Sequence, residues 1–279
     1  MRVCFTTDLH GRPELYDQLD QLVRGERPEV LILGGDMLAD GDIDDPVGTQ
    51  VAYVHNVFMR RVEGWQREVP GLIVACILGN HDWLCAWIAL QTHHDAGRIV
   101  LLDHRQAWPC GKVWFLGYSK TPPTPYWVKD FERLDLPGDP IPETGGAVWD
   151  LDGQCVRKAL PREHFGAQAS LAVELEAAAR LDGRWVFVCH APPHASNLDR
   201  LPHVDHPVGS RAVRQFIEQR QPTLSLHGHI HESPDVSGSY TDRIGECTSA
   251  NPGQGRERLQ AVLFETRDPV GTLRHTVFA

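Results

Sequence analysis

The sequence predicts an α/β fold with parallel strands, and three observations carry that expectation. Short apolar runs alternate with helical patterns through the first half of the chain. A polar cluster follows each of the first three runs, at the sheet edge where open α/β folds bind ligands. The 279 residues, 42% hydrophobic and 23% charged, have the composition of an ordinary globular domain with enough chain for a large core.

Residues 3–5 open as an apolar strand that ends in the polar Thr6, Thr7, Asp8, Leu9, His10 and Gly11. Leu15, Leu19, Leu22 and Val23 then fall on one face of a helix begun near Pro13. Residues 30–33 form the second strand, stopped by Gly34, Gly35 and Asp36. Val47, Val51, Val54, Phe58, Val62 and Trp65 mark one face of a longer helix. Residues 72–77 are the third strand, with Gly79, Asn80, His81 and Asp82 at its end. Residues 113–118 make another strand. The Pro-, Gly- and aromatic-rich stretch 119–150 reads as an insertion in what is otherwise one domain over residues 1–279. Its Lys120, Tyr126, Trp127, Lys129 and Trp149 suit either a base-stacking surface or a small core of the insertion's own, the second being the stronger expectation.

The Ala- and Glu-rich run 167–180 predicts one helix. Residues 185–189 are a strong strand ending at His190, and residues 211–220 predict a helix with Val213, Phe216 and Ile217 on one side. Residues 224–226 lead into His227, Gly228, His229, Ile230 and His231. Short strands near 244–247, 259–264 and 273–278 are expected to pair antiparallel and complete a second sheet.

Twenty-seven Lys and Arg against 37 Asp and Glu leave a formal charge of −10, which argues against a protein that coats nucleic acid or anionic lipid. No apolar stretch approaches the roughly 20 residues of a membrane helix. The seven cysteines include no Cys-x-x-Cys pair and suit a reducing cytoplasm. A cytoplasmic location is expected.

Five segments hold the residue types of a metal site: Asp8 with His10, Asp36, Asn80 with His81 and Asp82, His190, and His229 with His231. Oxygen and imidazole donors without thiolate suit Mn, Fe, Co, Ni or Zn. Residues two apart on an extended chain project to one face, so the Asp8–His10 and His229–His231 pairs could each grasp a shared cluster. Any one of these fragments is common by chance. Their joint placement beyond successive strands is what points to a metal centre.

The order DLHG, GGD, GNHD, CHAP and HGHIH resembles the calcineurin-like metallophosphoesterase superfamily, and within it the Icc-related bacterial and archaeal phosphoesterases. The resemblance implies a four-layer αββα sandwich of two mixed sheets. It implies two divalent ions, the first held by Asp8, His10, Asp36 and His231, the second by Asp36, Asn80, His190 and His229, with Asp36 bridging. A hydroxide between the ions would attack phosphorus, with His81 as general acid and Asp82 orienting His81 through a hydrogen bond. The implied activity is hydrolysis of a phosphomonoester or phosphodiester, with a small or nucleotide-type substrate. Protein phosphatase, nuclease and non-catalytic scaffold roles on the same fold are the alternatives. His194 and Asn197 are candidate substrate contacts, whereas His227 is expected to be structural.

Overall fold

The computed structural model describes residues 1–255 and 257–278. Strand β1 (Arg2–Thr6) leads to helix α1 (Pro13–Glu26), whose Pro13 stands at the first helical position, where its missing N–H costs nothing. Leu15, Tyr16, Leu19 and Val23 form its buried face. After β2 (Val30–Gly34), two π-helical turns, Val47–Val51 and Val54–Phe58, wind into α2 (Met59–Glu68). Then come β3 (Ile73–Ile77), α3 (Leu84–Asp95), β4 (Val100–Leu101), β5 (Trp108–Cys110) and β6 (Val113–Tyr118).

The insertion is not structureless. It contributes β7 (Gly146–Asp150), which pairs antiparallel with β8 (Cys155–Ala159). Its Trp149, Val128 and Ala147 pack with Trp83 and Cys85 in a separate apolar cluster. The predicted helix over 167–180 shortens to α5 (Leu171–Glu176), and a separate short helix, α4 (Pro161–Gly166), precedes it. The Ser170 hydroxyl accepts from Val173 N and caps α5, which places its start at Leu171. The chain continues through β9 (Trp185–Cys189), α6 (Arg211–Arg220), β10 (Leu224–Leu226), α7 (Ser233–Ser237), β11 (Thr241–Ile244), β12 (Cys247–Ala250), β13 (Val262–Glu265) and β14 (Arg274–His275).

One six-stranded sheet runs β14-β13-β1-β2-β3-β4 and the other β11-β12-β10-β9-β6-β5. Both are mixed: β1, β2, β3 and β4 are parallel neighbours, while β13 joins β1 antiparallel. The C-terminal strands therefore divide between the sheets. The hairpin β11–β12 extends the second, and β13 and β14 extend the first.

Strand alternation builds the layers. Val3 and Phe5 face the second sheet and meet Phe115, Val186, Val188 and Leu226 in the inter-sheet core. Cys4, Leu31, Leu33 and Cys76 point outward against α1, α2 and α3. On the far side, Leu116, Trp185, Phe187 and Cys189 pack under α5 and α6. The result is helix, sheet, sheet, helix, the predicted sandwich. No helix among the described residues is long and apolar enough to cross a membrane, and all seven cysteines are free, six of them buried.

Candidate metal centre

Strands β1, β2 and β3 of one sheet and β9 and β10 of the other lead into one edge of the sandwich, where the segments after them converge. Asp8, His10, Asp36 and His229 each adopt a positive φ, 55°, 46°, 48° and 66°, a region that L-residues avoid. Such strain costs of order 1–3 kcal/mol per residue and persists where the surroundings over-determine it. Hydrogen bonds do so here. Asp8 N donates to Gly35 O and His10 N to Asp36 O, while His229 N donates to both oxygens of Asp8 at 3.1 and 3.0 Å.

Two glycines let the turns close. A Cβ at Gly79 would lie 2.2 Å from Asp36 Oδ1, and one at Gly228 would lie 2.1 Å from Thr7 Oγ1 and 2.5 Å from Asp8 Oδ2.

Asp36 is the centre of the cluster. Ligand atoms of Asp8, His10 and Asp36 lie within 4.8 Å of one another, as do those of Asp36, His190 and His229. Asp36 thus belongs to both groups. His190 Nδ1 donates to Gly34 O at 2.8 Å, which turns its Nε2 toward Asp36 Oδ2, 3.2 Å away. Asn80 Oδ1 and Asn80 Nδ2 are buried without a hydrogen-bond partner, although burying a polar atom unpaired is costly. A donor set of carboxylates, imidazoles and an orphaned amide oxygen fits a divalent cation. A cavity of about 220 Å³ opens onto it, lined by His10, Asp36, Asn80, His81, Thr124, Pro125, Tyr126, His229 and His231.

The charges agree with that reading. Burial opposes ionisation of Asp36, yet the rings of His190, His81 and His10 hold its carboxyl well below the usual range. Burial also works against charging His190 and His10. For His190 the Asp36 and Asp8 carboxylates outweigh it, and for His10 Asp40, Asp36 and Asp8 do, pushing each ring up to about 9. These protons occupy nitrogens that a cation would claim. Burial, helped by the His190 charge, pushes His229 down to about 3 and leaves it neutral, as a ligand must be.

The structure brings together Asp8, His10, Asp36, His190 and His229, with Asn80 and His231 on the same cavity wall. His231 is the most open of these. Its ring centroid is 6.2 Å from that of His10, and its Nδ1 is 3.3 Å from Glu232 Oε2. His81 borders the cavity, but the expected Asp82–His81 bond is corrected. Asp82 Oδ2 accepts from the amides of Gly79 at 2.9 Å and Asp36 at 3.2 Å, buttressing the turns that carry the cluster. Burial and the nearby Asp36 push this carboxyl up to about 7. The carboxylate on the His81 ring is Asp40, whose Oδ1 is 3.0 Å from Nδ1. Asp40 is one of four aspartates between residues 40 and 45, and no spacing rule separates it from the others.

His194 and Asn197 do not line the cavity. His194 Nδ1 meets Gly209 O at 3.3 Å, and Asn197 is held by Asp242 and Thr241. His227 is buried on the Cys189 and Ala191 carbonyls and the Ser225 hydroxyl, the structural role expected of it. Lys120 is paired with Glu174 at 2.6 Å and Lys129 is buried against Glu132 at 2.9 Å, so neither is offered to a phosphate.

Residues 1–233 match the family described as calcineurin-like phosphoesterase, a span well over half of the chain, and the chain belongs to that family of metal-dependent phosphoesterases. No curated protein matches it. Among solved structures, one aligns over 100% of this chain and 99% of its own with 16% identity and a TM-score of 0.61. The protein TT1561 of Thermus thermophilus is similar over 98% and 97% of the two chains, with 15% identity and a TM-score of 0.52. A dimetal phosphatase from Danio rerio is similar over 100% and 99%, with 12% identity and a TM-score of 0.51. At these identities the likeness is one of fold.

Proposed function

We propose that this protein hydrolyses a phosphomonoester or phosphodiester, with a small or nucleotide-type substrate and two divalent ions held by Asp8, His10, Asp36, Asn80, His190, His229 and His231. The observation that carries this reading is the membership of Asp36 in both ligand groups beside the orphaned amide of Asn80. Bound there, divalent cations supply Lewis-acid stabilisation of phosphoryl oxygens and lower the pKa of water towards neutrality. The chain's own part is positional. Asp40 holds His81 by Nδ1, leaving Nε2 free to hand a proton to the leaving oxygen. The charge of −10 favours a small substrate over an anionic polymer.

The test is hydrolysis of p-nitrophenyl phosphate and bis-p-nitrophenyl phosphate with added Mn²⁺, with and without chelator. Turnover should require metal and vanish in Asp36→Ala. His81→Ala should keep its metal content while losing roughly 10²–10⁴ in rate. Absence of turnover on both esters with Mn, Fe, Co, Ni and Zn alike would refute the proposal.

A further inference from the structure

The insertion reaches the proposed proton donor directly. The Tyr126 ring lies flat on His81, with centroids 3.5 Å apart and planes 17° from parallel. His81 is therefore fixed by two contacts of different kinds. The bond from Nδ1 to Asp40 acts in the ring plane and sets the ring's rotation, whereas the Tyr126 face sets the tilt of that plane.

The segment that carries Tyr126 is itself tied down. Thr124 donates to Glu132 through N at 3.0 Å and Oγ1 at 2.5 Å. Buried Lys129 pairs with Glu132 and donates to the carbonyls of Thr124 and Tyr126. Asp130 then bolts the insertion to the start of α3, accepting from Leu84 N at 2.8 Å and from Trp149 N at 2.9 Å. Trp127 extends the aromatic contact, 5.2 Å from Tyr126 and 5.4 Å from Trp83. Neither bolt touches the metal-ligand cluster, so the insertion stays anchored when the stack is cut.

We propose that Tyr126 is a positioning residue for His81: its stacked ring holds the imidazole with Nε2 directed at the leaving oxygen, which makes the insertion part of the proton-transfer apparatus. This rests on His81 being the proton donor, so the experiment separates the two ideas.

Tyr126→Ala and Tyr126→Phe are compared with the parent, all loaded with metal. The first measurement is the ¹⁵N spectrum of the His81 ring without substrate, assigned against His81→Gln. A single ring state, with Nδ1–H bonded to Asp40, is expected in the parent and in Tyr126→Phe, which keeps the ring, and averaged shifts are expected in Tyr126→Ala. The second is kcat on phenyl phosphate and on the better leaving group p-nitrophenyl phosphate. Tyr126→Ala should lose roughly ten-fold to a hundred-fold on phenyl phosphate, less on p-nitrophenyl phosphate, with KM changed less than about two-fold.

An unchanged His81 spectrum in Tyr126→Ala overturns the proposal, and a Phe variant that behaves like Ala overturns the ring stack in favour of the Tyr126 hydroxyl acting through Asp40. An altered spectrum with equal losses on both esters supports the positioning and instead removes His81 from the donor role.

Discussion

Replacing Gly79 with Ala adds a single methyl group at the point where the backbone passes closest to the cluster. Gly79 is not among the residues with positive φ, so alanine meets no backbone penalty there and the perturbation is purely steric. Its Cβ would stand 2.2 Å from Asp36 Oδ1 and 2.5 Å from His190 Nε2, where ordinary contact begins at 3.4 Å. Either the carboxylate or the turn must retreat by about 1 Å. The Asp36 oxygen that would move also accepts from His81 N at 2.8 Å, so the turn carrying His81 is pulled with it.

A displacement of that size should lower metal affinity about 10–100-fold and kcat/KM about 10²-fold, while overpacking costs about 1–3 kcal/mol of stability. Metal stoichiometry after dialysis, titration calorimetry with Mn²⁺ and p-nitrophenyl phosphate turnover measure the first two, and a denaturant melt the third. Full metal affinity and full turnover in Gly79→Ala would show that Asp36 and His190 are not the pair whose spacing matters.

Other expectations follow from the same geometry. Because His190 and His10 are pushed up to about 9, both are protonated at pH 7 before metal binds; affinity should rise from pH 7 to 9 and loading should release protons, read by calorimetry in buffers of different ionisation enthalpy. Burial first, then the charge on His190, pushes His227 down to about 4 from an unfolded value of 6.5. The unfolded chain therefore binds the extra proton. Stability is intact above pH of about 6.5 and falls by about 3 kcal/mol as pH drops to about 4, and His227→Gln should flatten that slope in thermal melts. Gly64 lies inside α2 with nothing within 4 Å of its would-be Cβ, so Gly64→Ala should add about 0.5–1 kcal/mol and raise the melting temperature without touching turnover.

The centre is legible in the sequence because its residues sit directly after strands, where local sequence signals both the strand and the turn that ends it. Asp8, Asp36 and Asn80 all follow apolar runs, and the sheet does the rest. Asp40 is not legible, since its role depends on where a neighbouring loop delivers His81 and not on its own surroundings in the chain. Tyr126 is visible as an aromatic in an insertion, but its partner lies 45 residues upstream and only the folded chain shows the stack. The division of the C-terminal strands is hidden for a similar reason. The register of Arg2 opposite Glu265 joins residues at the two ends of the chain, and short strands carry no mark of which sheet they will extend. The helix expected over 167–180 is shorter than its composition suggests, because Ser170 caps its start and leaves residues 167–169 outside it.

The left-handed turns at Asp8, His10, Asp36 and His229 have a consequence for how long this protein survives. Four contorted residues in one small volume draw on a total stability that in most proteins is only about 5–15 kcal/mol. A bound cation would act as a staple across segments from opposite ends of the chain, because those same residues are its proposed ligands. Cellular metal supply would then set the amount of working protein as well as its rate, with starved copies the first to open and be cleared.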